Sequence, residues 1–227
     1  MILAVTAGKG GVGKSTVAYN LGAELDAVVI DADLGMADLP SARGPDLHDV
    51  LAGRAAPLEA VREAGPVALL PCGRSLAGAR AADPAALTDA VAAVAGEYDR
   101  VVIDSPAGLR SDAGVPLLAA DACLLVTRPT RPALADALRA RELARAVGTP
   151  LARVVLNRVA PARIDAPDER TDRIASTLDG PVTRVPESAA VARAQRAGQP
   201  VRRVAPDSRP AEQFAELATL VSRSVEE

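Results

Sequence analysis

The chain contains very few aromatic residues. Its 227 residues include one Phe, two Tyr and no Trp. The core must therefore be built from Val, Leu, Ile and Ala, which is typical of buried parallel strands covered by Ala-rich helices. So few rings also argue against a surface that stacks on single-stranded nucleic acid. The two cysteines, Cys72 and Cys123, lie far apart and match no metal or redox spacing, so we predict that both are core residues.

Long apolar runs and strong net charge are also missing. No run approaches the ~18 apolar residues of a membrane-spanning helix, and the first residues do not resemble a signal peptide. We therefore expect a cytoplasmic protein. The formal net charge of −3 predicts no global attraction to a polyanionic partner. The length suits one α/β domain, predicted to comprise residues 1–227.

Apolar runs alternate with helical patterns along the whole chain, which indicates βαβ units and a mostly parallel sheet. Strands are predicted at residues 2–6, 27–31, 67–70, 100–104, 122–127, 153–157 and 182–185. Helices are predicted at residues 14–25, 47–51, 84–96, 111–119, 132–147, 168–178, 188–197 and 211–225. The expected fold is a twisted sheet of about seven strands with helices on both faces.

Lysine is nearly absent too, and both lysines lie in one glycine-rich loop. This loop, GKGGVGKS at residues 8–15, fits the pattern G-x-x-x-x-G-K-[ST] between a predicted strand and a predicted helix. Its backbone N–H groups and the following helix N-terminus favour phosphate binding, which predicts a P-loop NTPase fold. In such a loop Lys14 reaches the β- and γ-phosphates, Ser15 binds Mg²⁺ and Thr16 helps to hold the α-phosphate. The candidate ATP-binding residues are Gly8, Lys9, Gly10, Gly11, Val12, Gly13, Lys14, Ser15 and Thr16.

Carboxylates follow two further predicted strands. One apolar strand ends at Asp104, and another ends at Asp31 with Asp33 two residues later. The carboxyl ends of parallel strands border the ligand crevice of an open sheet, so these acids should lie near the loop. Asp104 is predicted to hold Mg²⁺ through water or to bond to Ser15. Asp31 and Asp33 would point to opposite faces, so only one can face the γ-phosphate.

Lys9 gives the loop a second lysine, KGGVGKST, and here the sequence resembles the deviant Walker A ATPases of the MinD/ParA family. The segments DSPAG at 104–108, LHDVLAG at 47–53 and LPCG at 70–73 are similar to MinD-like proteins, particularly archaeal ones. The resemblance implies an ATPase that uses Mg²⁺ and forms an ATP-dependent homodimer, in which Lys9 reaches the nucleotide of the partner subunit. It assigns Asp33 to the attacking water and the Mg²⁺ site, with Asp38 as a further switch residue. The candidate catalytic residues are Lys9, Lys14 and Asp33, and the candidate metal ligands are Ser15, Asp33 and Asp104. With no arginine finger identifiable, we expect slow turnover without an activating partner.

The resemblance also predicts where the base binds. The segment VLNR at 155–158 is similar to the strand end at which the family's Asn recognises adenine, and an amide can both donate and accept there. Asn157 and Arg158 are therefore candidate nucleotide contacts. Pro186 and Glu187 match the segment that closes over the base. His48, the single histidine, is interpreted as a helix or loop residue rather than a catalyst.

The predicted last helix departs from bacterial MinD, whose final helix is basic on one face. Here residues 211–225 combine an apolar stripe with an acidic polar face, which an anionic membrane would repel. We interpret it as a packing helix. Recruitment to a membrane or cell pole would then require a partner.

Three functional hypotheses remain. The leading one is a dimerising ATP switch that organises a cell-division site or pole through an unknown adapter or activating protein. The alternative is a ParA-like partition ATPase that binds nucleoid DNA without sequence specificity, because residues 184–209 contain six arginines and two acids. Nucleic acid is possible but not favoured, since such a spread of arginines usually forms a solvated face. The third, an iron–sulfur carrier, is disfavoured because no paired cysteines are present.

Overall fold

The computed structural model describes residues 1–35, 39–40, 43–108 and 113–226. Seven strands form one sheet in the order β3-β2-β4-β1-β5-β6-β7, and every neighbouring pair is parallel. The strands are β1 Ile2–Thr6, β2 Val28–Asp31, β3 Leu69–Leu70, β4 Val101–Asp104, β5 Ala122–Thr127, β6 Leu151–Val159 and β7 Val182–Pro186. The predicted fold class is confirmed, and all seven predicted strands are present.

Helices cover both faces of the sheet. In the described part of the chain they are α1 Lys14–Leu25, α2 Leu47–Leu51, α3 Pro57–Ala60, α4 Leu76–Ala81, α5 Leu87–Glu97, α6 Val115–Leu118, α7 Arg131–Ala146, α8 Glu169–Leu178, α9 Ala189–Arg196, α10 Val201–Val204 and α11 Arg209–Glu226. Neighbouring residues of one strand enter different cores. Val29 and Val102 pack with α1 and α11, whereas Val28 and Val101 pack with α2 and α5. This double burial explains the continuous apolar runs of the strands.

Several helix boundaries differ from the prediction. The pattern at 84–96 divides into a 3₁₀ turn, Pro84–Ala86, and helix α5. Of the helix predicted at 111–119, residues 111 and 112 lie outside the described chain, and the rest forms the single turn α6. Helices α3, α4 and α10 were not predicted; none exceeds six residues.

The strand order determines where in the fold the predicted site lies. β1 lies between β4 and β5. Strands β2, β3 and β4 lie on one side of β1, and β5, β6 and β7 lie on the other. The carboxyl ends of β1 and of its neighbours therefore border a crevice at the point where the order reverses. In the sheet register Val5 lies beside Asp104, and Asp104 lies beside Asp31. The loop after β1 and the two acids consequently meet at one edge.

Helix α11 packs inside the molecule, as predicted. Phe214, Leu217 and Val221 are each no more than 1% exposed and belong to the core cluster that contains α1. Within the described residues, none of the helices has both the length and the apolar character needed to cross a bilayer.

Candidate nucleotide-binding site

The glycine loop connects β1 to α1 and is held closely by two other elements. Gly13 adopts a left-handed φ of 98° immediately before α1, a conformation that favours glycine. A side chain on Gly13 would also meet the amide nitrogen of Asn157 at the end of β6. A side chain on Gly8 would overlap the backbone of α7 at Asp136. No side chain caps the N-terminus of α1, so the loop presents the first N–H groups of that helix to an anion.

Lys14 and Asp104 form a buried ion pair beneath this loop. The Lys14 Nζ donates to Asp104 Oδ1 at 2.6 Å, and the side chains are 6% and 0% exposed. Burial raises the pKa of Asp104, and the contacts with Lys14 and Ser15 oppose that rise. The loop thus already holds its lysine against the acid of the neighbouring strand.

Oxygen atoms suited to Mg²⁺ remain around this pair. Within the described chain, neither Asp104 Oδ2 nor the Ser105 hydroxyl has a hydrogen-bond partner, although both are buried. The Ser15 side chain is near enough to Asp104 to lower the pKa of that carboxyl. Mg²⁺ binds one or two carboxylates together with hydroxyl, water and phosphate oxygens, so these residues fit that ion. Ser15 and Asp104, which the sequence predicts as metal ligands, thus lie close together, and their role in binding Mg²⁺ stays a prediction.

The two acids after β2 occupy different environments. Asp31 is 1% exposed, and its pKa is raised to about 8 by burial first and by Asp104 second. Its Oδ1 accepts from the Asp33 backbone N–H at 3.4 Å, and its Oδ2 has no partner among the described residues. Asp33 instead lines the cavity beside the loop, together with Lys9 and Lys14. Only one of the two acids therefore faces the cavity, as expected, and Asp38 lies outside the described residues.

Two adjoining cavities divide the predicted site residues between them. The larger, about 320 Å³, is lined by the loop residues, Asp33 and the segment after β4. The smaller, about 150 Å³, is lined by residues from β6, β7 and α9. Both cavities are lined by Thr16, Arg158 and Gln195. The first is lined by both lysines and the loop glycines, which suits phosphates. The second is the candidate base pocket, which brings Asn157, Arg158, Pro186 and Glu187 to one place.

The Asn157 side-chain amide already makes two hydrogen bonds within the protein. Its Nδ2 donates to the Val12 carbonyl at 2.8 Å, and its Oδ1 accepts from the Arg158 backbone at 2.9 Å. Each amide atom can make a second hydrogen bond, so one donor and one acceptor remain for a base. Strand β6 runs two residues beyond its predicted end, with a register shift and a left-handed Arg158, φ 55°. Such irregularities re-aim side chains near ligand sites.

Lys9 lies at the mouth of the larger cavity. Its side chain is 38% exposed, and its Nζ is 3.8 Å from Asp136 of α7. An ion pair of this length and exposure contributes little to stability. Asp136 also accepts a hydrogen bond from Arg139 at 2.9 Å. Lys9 is thus held loosely within its own subunit.

Sequence reasoning did not identify Asp136, Gln195 or a role for His48. Asp136 and Gln195 lie on α7 and α9, within ordinary amphipathic helices, and no motif distinguishes them. His48, predicted to be a helix or loop residue, lies in helix α2 and also contacts the segment that follows β2. Only the tertiary arrangement reveals these neighbours.

A parallel sheet with a glycine loop after β1, a buried lysine and a strand-terminal acid defines a P-loop nucleotide-binding protein. The comparisons with known proteins agree with that class. Residues 3–201 match the model of the CobQ/CobB/MinD/ParA nucleotide binding domain. The chain belongs to this family.

Three relatives show which branch the chain resembles. An uncharacterized ATP-binding protein of Methanocaldococcus jannaschii is 35% identical over 234 residues, which span 98% of this chain and 88% of that protein. The cell division ATPase MinD of Pyrococcus furiosus superposes with a TM-score of 0.88 at 31% identity, covering 98% of both chains. The septum site-determining protein MinD of Pyrococcus horikoshii, solved in complex with Mg-ADP, has the same TM-score at 30% identity and covers 98% of this chain and 96% of that one. The predicted resemblance to MinD-like proteins, archaeal ones included, is confirmed, and the predicted cofactors, ATP and Mg²⁺, agree with these descriptions.

Proposed function

We propose that the chain is an ATP-binding and ATP-hydrolysing dimerisation switch that helps to position a cellular structure such as a division site or pole. The observation that carries the proposal is Lys9, a second lysine at the mouth of the phosphate cavity, partly exposed and loosely held by Asp136. Similarity to a cell division ATPase and to a septum site-determining protein supports the positional role. The proposed place of action is the cytoplasm, with an adapter or activating protein that recruits the chain to a membrane or pole.

The proposal gives each group around the nucleotide a role. The loop N–H groups and Lys14 bind the phosphates, and the Asn157 amide with Arg158, Pro186 and Glu187 surrounds the base. Ser15 and Asp104 would hold Mg²⁺, which supplies charge neutralisation on the phosphate oxygens. Asp33 orients the attacking water. Most of the catalysis is then orientation and electrostatic stabilisation, which predicts slow turnover by the chain alone.

Dimerisation follows if Lys9 leaves Asp136 when ATP is bound. Its ammonium would reach the phosphates of the partner subunit, where a compact cation fits better than a guanidinium. Because the ion pair with Asp136 is weak, its loss costs about 1 kcal/mol or less. Two such contacts, one from each subunit, would make the dimer depend on the presence of ATP.

The test is sedimentation of the Asp33→Ala variant, which should bind ATP without hydrolysing it. It is measured with Mg-ATP, with Mg-ADP and without nucleotide. We expect Asp33→Ala to form a dimer only in the presence of Mg-ATP. The double variant with Lys9→Ala should be a monomer in all three conditions. Arg139→Ala is the matched control, because it removes the other cation that contacts Asp136 but lies outside the loop. An equal monomer fraction in all three conditions for Asp33→Ala itself would contradict the proposal. Hydrolysis by the wild type, measured alongside, tests the enzymatic part.

The partition hypothesis stays an alternative to be tested. In the 184–209 segment Arg184 donates to two backbone carbonyls, Arg202 pairs with Glu24, and Arg209 pairs with Asp165 and Glu212. At least three of the six arginines thus already contact protein groups. Duplex DNA binding that requires ATP and weakens steeply with salt would favour this function over the positional one. No binding at low salt would dismiss it.

A further inference from the structure

Two backbone carbonyls that follow β2 are held from within the protein by a histidine and a cysteine. His48 Nε2 lies 3.1 Å from the Leu34 carbonyl oxygen, and Cys72 Sγ donates to the Asp33 carbonyl oxygen at 3.4 Å. Sγ and Nε2 are 3.5 Å apart, and both side chains are 2% exposed. A carbonyl only accepts, so the contact with Leu34 assigns the N–H to Nε2. We call these two side chains the His48–Cys72 clamp.

The surrounding structure fixes the position of the His48 imidazole. Asp46 caps α2 by accepting from the Asp49 backbone N–H, which sets His48 in the first turn of that helix. Gly73 and Gly78 lie against its other nitrogen, and a Cβ on Gly78 would be only 2.9 Å from Nδ1. Helix α2, α4 and the segment after β3 therefore enclose the ring. The clamp cannot shift without moving these elements.

We propose that the clamp positions Asp33 for hydrolysis. Asp33 lies only two residues beyond the end of β2, and its carboxylate lines the phosphate cavity. The clamp fixes the carbonyl of Asp33 and that of the next residue, which sets the backbone from which the carboxylate projects. His48 and Cys72 act on the reaction through Asp33 and are positioning residues. The inference rests on the proposed ATPase function and on the role of Asp33 in it.

Binding and hydrolysis should respond differently to loss of the clamp. The phosphates are proposed to bind to the glycine loop and Lys14, and the hydrogen bonds of the clamp given above involve neither. The attacking water depends on the placement of Asp33, and a shift of about 1 Å in a catalytic group can cost on the order of 100-fold in rate. A clamp variant should therefore hydrolyse ATP more slowly while it binds ATP with unchanged affinity.

The variants separate hydrogen bonding from packing. His48→Gln keeps an N–H donor at nearly the reach of Nε2, whereas His48→Met keeps a similar volume without a donor. Cys72→Ser keeps a donor and Cys72→Ala removes it. Single-turnover hydrolysis and Mg-ATP affinity are measured for each, with unfolding curves to establish that each variant is folded.

We expect His48→Met to lower the single-turnover rate by about 10- to 100-fold, with the dissociation constant of Mg-ATP unchanged within about twofold. His48→Gln should recover most of the rate. A folded His48→Met chain with the wild-type rate, or equal losses in the Met and Gln variants, would overturn the inference. If His48→Met does not fold, the Cys72 pair decides by the same criterion. A wild type that binds but never hydrolyses ATP would overturn the proposed function itself, and the inference with it.

Discussion

At the scale of single residues, the site holds two buried carboxyl groups and one buried ammonium. Asp31 and Asp104 lie side by side in register, and Lys14 pairs with Asp104. The raised pKa of Asp31, to about 8, follows from this crowding as well as from burial. Asp31 therefore stays largely protonated near neutral pH. A phosphate that draws Lys14 toward itself would leave Asp104 without its paired positive charge, which is a physical reason for a divalent cation at this place.

The first prediction concerns Asp31 in the chain free of metal and nucleotide. The carboxyl ionises near its ordinary value of 3.8 in the unfolded chain and near 8 in the folded one, so the folded state retains the proton between these values. The free energy of unfolding should then fall as pH rises through that window. Asp31→Asn should remove that part of the slope and stabilise the chain at pH 7 by on the order of a few kcal/mol.

Urea unfolding with EDTA at several pH values between 4 and 8 measures this effect. The exposed Asp207→Asn serves as the control, because it makes the same change of side chain at the surface, away from the buried site. Parallel pH profiles for wild type and Asp31→Asn would contradict the assignment.

At the scale of elements, the glycine loop depends on how closely α7 approaches it. The Cβ of Gly8→Ala would overlap the backbone carbonyl of Asp136, and a backbone cannot move aside as a flexible side chain can. Either the loop or α7 must shift, at a cost of about 1–3 kcal/mol. We expect ATP affinity to fall at least about tenfold, which corresponds to about 1.4 kcal/mol, in a chain that remains folded.

Isothermal titration with Mg-ATP tests the Gly8 prediction. Gly96→Ala is the matched control, since an added Cβ there meets nothing within 4 Å and alanine favours its helix, α5. Unchanged affinity in Gly8→Ala would mean that the loop does not need this contact with α7.

Elements with long patterns were predicted, and among the short helices α2 was predicted with its observed ends whereas α4 was not. Buried strands such as β4 and β5 read as unbroken apolar runs, and α1 was predicted with its observed ends because the loop motif marks its start. Helices α3 and α10 have four residues each, which is too short for a periodic pattern. The register shift in β6 depends on its pairing with β7, which composition does not reveal.

At the scale of the whole molecule, the candidate site combines residues from distant parts of the chain. The glycine-loop motif after β1 pointed to Lys14 and Ser15, and a recognisable apolar strand pointed to Asp104 at its end. No motif indicates that α7 brings Asp136 to Lys9, or that α2 brings His48 to the segment after β2. The sequence therefore predicted the groups proposed to touch ATP better than the groups that hold them in place.

The last prediction tests whether α11 is part of the fold. Phe214, the single phenylalanine, is 1% exposed and packs in the core that contains α1. Helix α1 begins at Lys14, a residue of the candidate phosphate site. Phe214→Ala should lower the free energy of unfolding by about 3–5 kcal/mol, the cost of a large cavity in a packed core. Thr219→Ala, on the exposed face of the same helix, should change it by no more than about 0.5 kcal/mol. If urea unfolding showed similar small effects for both, α11 would not be needed to hold the core, and its apolar stripe would be free to bind something else.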